Sequence, residues 1–176
     1  VTATATYWGA IDNTSPRQAV TAGSNYNFSV WARAATSGAP VVLIVAWRDA
    51  AGATIVNTYV HPGVSDNTTG WTEIKASQIA PAGAVTVVFG VTINATTVGH
   101  VHYFDDFSMT SSAVTQTAVG SKGFESTVDG LSVVSNATSA RSTAQARTGT
   151  SSLAITPTSS TVGWSVTEST GTTVNT

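Results

Sequence analysis

Residues 25–34 read NYNFSVWARA, an alternation of apolar and polar side chains broken only by Trp31. Successive residues of a strand point to opposite faces, so Tyr26, Phe28, Val30 and Ala32 make a core stripe, while Asn27, Ser29, Trp31 and Arg33 face the other way. The next run, 41–49, is apolar on both sides, with Val41, Leu43, Val45 and Trp47 on one and Val42, Ile44 and Ala46 on the other, the pattern of a central strand. Asp49-Ala-Ala-Gly52 then turns the chain into 54–60 as a hairpin. Strands follow at 71–77, 84–93 and 101–109. In the second of these Val85, Val87, Phe89, Val91 and Ile93 face one way and Thr86, Val88, Gly90 and Thr92 the other, with Pro81 and Gly83 setting the corner before it. No long helical period interrupts the alternation. The expected architecture is all-β, two antiparallel sheets with negligible helix, around a core of Tyr26, Phe28, Val30, Leu43, Val45, Trp47, Val87, Phe89 and Val91.

Composition agrees. Ser and Thr make up roughly 30% of the chain, which suits strands better than helices. With 9% charged residues and a net charge of −2, there is no electrostatic case for nucleic acid or an anionic membrane. No apolar run approaches the ~20 residues of a membrane-spanning helix. The absence of cysteine removes disulfide stapling, leaving stability to a packed core, with or without a metal. The start at Val1, without Met, apolar signal or basic leader, reads as a processed or partial polypeptide.

Two half-patterns stand in an unusual order: YFDDFSM at 103–109 reads as a sandwich ending, and GFES at 123–126 as a sandwich beginning. Together with NYNFSVWARA, the run 41–49, Gly70-Trp71 before Ala80-Pro-Ala-Gly-Ala84, Asp129-Gly130 and Gly149-Thr-Ser-Ser-Leu153, they resemble the jelly-roll carbohydrate-binding modules of families four and nine. The first set covers about residues 7–110 and the second 123–156. The resemblance implies an antiparallel jelly-roll β-sandwich that is non-catalytic and binds saccharides or serves as a spacer. On this reading residues 1–110 are a sandwich lacking its first strands. Residues 111–122 (SSAVTQTAVGS within them) are a small, polar linker, and 123–176 either open a second sandwich or fold back to close the first by permutation. Unclosed edges would invite a neighbouring subunit, so homo-oligomerisation is expected.

Sugar binding needs aromatic planes and hydroxyl-seeking groups on an open face. Trp31, Arg33 and Asn27 lie opposite the core stripe, and Tyr59 and Trp8, with Tyr7, fall near strand ends or turns. Trp47 reads as core. The chain holds nine carboxylates and no triad order or phosphate loop. Its adjacent pair, Asp105-Asp106, should point to opposite faces of a strand and so not grip one glycosidic bond; no enzymatic activity is expected. The resemblance offers another role: similar modules hold a structural calcium between an early Glu and an Asp of the closing strand, here Glu125 and Asp105 or Asp106, since calcium takes hard oxygen ligands. His100 and His102 share one side of a strand, the geometry of a two-histidine metal site, but without a third ligand nearby they read as a surface pair. Five Asn-x-Ser/Thr sequons, at Asn13, Asn27, Asn67, Asn94 and Asn136, are expected by chance in so Ser/Thr-rich a chain.

Two settings follow. The Ala/Thr/Val-rich, Lys-poor, cysteine-free composition resembles virion surface or tail proteins of bacteriophages infecting high-GC bacteria, whose partners would be host-envelope glycans and other virion proteins. The alternative is an accessory carbohydrate-binding module of a secreted bacterial glycoside hydrolase. A surface adhesin repeat is a third possibility, distinguished by many further copies at one period.

Overall fold

The alternation at 25–34 becomes the centre of a sheet. The computed structural model describes residues 18–93, 99–111, 118–126, 131–135, 137–158 and 164–168, and none of these is helical. Their strands are β1 (Gln18–Ala19), β2 (Asn25–Ala34), β3 (Pro40–Arg48), β4 (Thr54–Ser65), β5 (Thr72–Ile79), β6 (Thr86–Ile93), β7 (His102–Ser111), β8 (Ala118–Lys122), β9 (Leu131–Ser135), β10 (Ala137–Ser142), β11 (Ser152–Pro157) and β12 (Trp164–Glu168). They form two antiparallel sheets in a jelly-roll sandwich. One runs β4-β3-β6-β12-β9 with β1 also on β6; the other runs β10-β11-β7-β2-β5 with β8 also on β7.

β3 is central as its two apolar faces require: it pairs with β4 on one side and β6 on the other, and residues 41–47 are buried throughout. The turn after it is closed by the Gly52 N–H donating to the Asp49 carbonyl, with Gly52 at φ 81°, a conformation glycine adopts without steric cost. All nine expected core residues lie in one buried cluster. An aromatic row crosses it from sheet to sheet, with ring centroids 5.9 Å apart for Tyr26–Trp47, 6.1 Å for Phe28–Trp47, 5.2 Å for Phe28–Phe89 and 6.0 Å for Phe89–Phe107. Each such side chain, fully buried, contributes about 1.5–3 kcal/mol through removal from water.

The later part of the chain joins the same sandwich. β11 pairs with β7 (Leu153↔Phe104, Ala154↔Tyr103, Ile155↔His102), β12 pairs with β6, and Phe124, Leu153 and Ile155 sit in the core cluster with 0% exposure. Several local expectations are corrected. Residues 118–122, read as linker, form β8 against β7. Within 123–176 the strands are Leu131–Ser135, Ala137–Ser142, Ser152–Pro157 and Trp164–Glu168. Val85, read on the same side as Val87, precedes β6 and is 41% exposed. His102 is buried, not a surface residue.

The second edge of β7 changes partner midway, and this detail places the site. β11 pairs with β7 as far as Phe104, and β8 takes over from Phe107. Asp105 and Asp106 lie in the gap. Asp106 has φ 50° and the β2–β7 register shifts between Ser29 and Trp31, the marks of a β-bulge.

Candidate functional site

On the outer face of the second sheet, β5, β2 and β7 present a grid of polar side chains fixed by register. One row is Ser77–Asn27–Thr110, the next Lys75–Ser29–Ser108, and the third joins Glu73 to Trp31. Rows on one face are two residues apart, about 7 Å. The first two rows and Glu73 line a groove of ≈ 480 Å³. Hydroxyl and amide groups of Asn27, Ser29, Ser77, Ser108 and Thr110 line it together with Phe28 and Ala76, and the Glu73–Lys75 ion pair at 2.8 Å lies along it. Trp31 lies half-buried in the next row of the same face, outside the groove lining, and Arg33 follows as the next outward residue, its guanidinium donating to the Thr68 carbonyl at 3.1 Å.

The segment before β11 reaches this face through the gap in β7. The buried Asp105 carboxylate accepts the N–H groups of Asp106 (2.8 Å), Arg147 (3.0 Å) and Thr148 (3.4 Å). Asp106 pairs with the Arg147 guanidinium and accepts the Thr148 hydroxyl. Glu125 accepts the N–H and hydroxyl of Thr150, each at 2.9 Å, and the Ser151 N–H at 3.3 Å. Between these clasps Gly149 turns at φ 64°, where a Cβ would collide with the Glu125 carboxylate. Burial pushes the Asp105 carboxyl above its ordinary value, against the lowering effect of its N–H donors. Glu125 is held below the usual glutamate value by the Thr150 N–H and hydroxyl. The Arg147 guanidinium carbon lies 3.9 Å from the centroid of the Trp31 ring.

Calcium takes six to eight oxygen ligands. Here the Asp105 oxygens accept three N–H groups, those of Asp106 face a guanidinium and a hydroxyl, and those of Glu125 take two N–H groups and a hydroxyl. Among the described residues no three His, Asp or Glu side chains converge as a cation site. As arranged, these residues do not fit a calcium cage; they fit a hydrogen-bonded latch. The expectation that neighbouring aspartates turn opposite ways is corrected by the bulge, which brings both to residues 147–148. Neither lines the groove.

The structure brings Asn27, Trp31 and Arg33 together on one face. Tyr59 is on β4, opposite Ile44, in the other sheet, and so is not part of this group. Trp8 lies outside the described residues. Sequence reasoning missed Arg147 and also a buried pair, His102 Nδ1 to Asp66 Oδ2 at 2.7 Å, with side-chain exposures of 1% and 0%. The second oxygen of Asp66 accepts the Ala39 N–H at 2.8 Å. This pair ties the turn after β4, which carries the Arg33 acceptor Thr68, to β7.

No protein-family profile matches the chain, and no curated protein does. Among solved structures it is similar to the CBM22-1–GH10 modules of the Clostridium thermocellum endo-1,4-β-D-xylanase 10B complexed with xylohexaose, with 23% identity and TM-score 0.45 over 53% of this chain and 18% of that one. It is similar as well to the CBM22 tandem domain from Paenibacillus barcinonensis, with 12% identity and TM-score 0.44 over 77% of this chain and 42% of that one. A CBM4 structure matches with 16% identity and TM-score 0.33, over 53% of this chain and 68% of that one.

Proposed function

We propose that the chain is a non-catalytic glycan-binding sandwich whose ligand lies along β2 on the outer face of β5, β2 and β7. The observation that carries this reading is the groove lined by Asn27, Ser29, Ser77, Ser108 and Thr110, with the half-buried Trp31 in the adjoining row of the same face. Open polar floors supply hydrogen bonds to sugar hydroxyls, and an indole edge or face supplies apolar contact. Both aspartates are bound up in the latch and the carboxylate that lines the groove, Glu73, is paired with Lys75, so we read the face as a binding surface rather than an acid–base site. The setting we propose is a virion surface or tail protein contacting host glycans, the alternative being an accessory module of a secreted glycoside hydrolase; capsid and tail genes beside this one, or a glycosidase domain on the same polypeptide, decide between them.

Affinity electrophoresis in gels containing soluble xylan, mixed-linkage glucan, mannan or a uronate-bearing polysaccharide tests the function. The reading requires retardation by at least one of them and its loss in Trp31→Ala and in the Asn27→Ala/Ser77→Ala pair. Unretarded migration in all, or retardation that survives both variants, refutes it.

A further inference from the structure

Resting on the glycan reading, a second observation says which glycans the face selects. A pyranose stacks on an open indole face, and at Trp31 the Arg147 guanidinium already lies against the ring at 3.9 Å. One ring face cannot hold both. The anchor of Arg147 is its backbone, whose N–H bonds the buried Asp105 carboxylate. Its side chain and that of Asp106 are 32% and 24% exposed, so the guanidinium can leave Trp31 and Asp106 while the backbone N–H bonds of Arg147 and Thr148 to Asp105 stay in place. Cation–π contacts and solvent-facing ion pairs are individually weak, which makes this closed arrangement displaceable by a ligand.

The surrounding charges indicate what displaces it. Glu73 is paired with Lys75 and Asp106 with Arg147. Arg33, the next outward residue after Trp31, bonds a carbonyl oxygen and has no carboxylate partner among the described residues. Two guanidinium groups therefore flank Trp31, one without a carboxylate partner among the described residues and one with an exchangeable counter-ion. Guanidinium groups bind planar carboxylates in bidentate fashion.

We propose that Arg147 is the specificity-determining residue of this face, a gate over Trp31 that a carboxylate-bearing glycan, one containing hexuronate, opens by competing with Asp106, and that disfavours the matching neutral glycan. A neutral ligand must break the Arg147–Trp31 stack and receives nothing from the freed guanidinium. An acidic ligand recovers the lost contact as a new ion pair beside the exposed ring.

Fluorescence or calorimetric titration of the whole chain with a hexuronate-bearing oligosaccharide and its carboxyl-reduced counterpart tests this. The wild type should bind the acidic form about tenfold tighter at low salt, with the ratio shrinking as salt screens the pair. Arg147→Ala should tighten the neutral ligand severalfold and remove most of the discrimination, and Arg147→Lys should fall between. An unchanged ratio in Arg147→Ala, or a wild type that does not discriminate, overturns the gate while leaving the glycan reading intact. Binding of neither ligand by any form overturns both. Unaltered near-ultraviolet circular dichroism shows that Arg147→Ala keeps the fold.

Discussion

Truncating Phe124 measures whether the later part of the chain is integral to the first part's core. Phe124 has 0% exposure and meets Phe107 edge-on at 6.0 Å, yet its backbone sits at φ 57°, which costs an L-residue on the order of 1–2 kcal/mol. Phe124→Ala forfeits the transfer free energy and leaves a cavity, about 3–5 kcal/mol, a large share of the ~5–15 kcal/mol that holds a typical domain. At roughly 2–4 °C per kcal/mol for this size, the midpoint should fall by about 6–20 °C. Phe124→Gly creates the same cavity but relieves the left-handed backbone, so it should be no worse than Ala, and milder by about 1 kcal/mol. This reverses the usual order of Ala and Gly. Urea unfolding followed by Trp fluorescence and far-ultraviolet circular dichroism reads both. A loss below 1 kcal/mol for Phe124→Ala, or a Gly variant clearly less stable than the Ala variant, would refute the reasoning.

Other consequences concern the buried pair and the latch. Asp66→Ala removes the contact to His102 and the acceptor of the buried Ala39 N–H and should cost about 1–3 kcal/mol, read as a lowered urea midpoint; an unchanged midpoint contradicts the pairing. Gly149→Ala forces both a strained φ and displacement of the Glu125 carboxylate, and should lower the melting temperature; an unchanged midpoint contradicts the clasp. Asp105 has its folded pKa raised by burial, so the folded state holds its proton more tightly than the unfolded chain. The stability of wild type relative to Asp105→Asn should therefore rise as pH falls through the folded value towards the unfolded one, and be lowest above that window; a difference independent of pH contradicts it. With every latch carboxylate engaged by hydrogen donors, saturating calcium should leave the melting curve of the chain where chelator leaves it. A calcium ion bound at 100 times its dissociation constant would instead add about 2.7 kcal/mol.

The sequence discloses what is periodic. The alternation at 25–34 identifies both the core stripe and the outward set of Asn27, Ser29, Trp31 and Arg33, because a strand leaves each residue only two directions. The doubly apolar run at 41–47 likewise identifies β3 as interior. What stays hidden is non-local. The bulge at Asp106 carries no glycine to announce it, since its cause is the change of partner strand from β11 to β8 at that point on β7. Arg147 reaches Trp31 only after β11 has docked on β7, and no local signal in ARTGT marks a guanidinium destined for an indole. His102 reads as a surface residue because its partner Asp66 comes from the turn between β4 and β5, in a pairing that sequence spacing does not reveal.

The central claim is that glycan binds on the outer face of β5, β2 and β7. Backbone amide chemical shifts during titration with a retarding oligosaccharide test it most directly. The account predicts perturbations concentrated at Asn27, Ser29, Trp31, Arg33, Lys75, Ser77, Ser108 and Thr110, with β3 and β4 unmoved. Perturbations centred on β3 and β4, or none at saturating ligand, would contradict it.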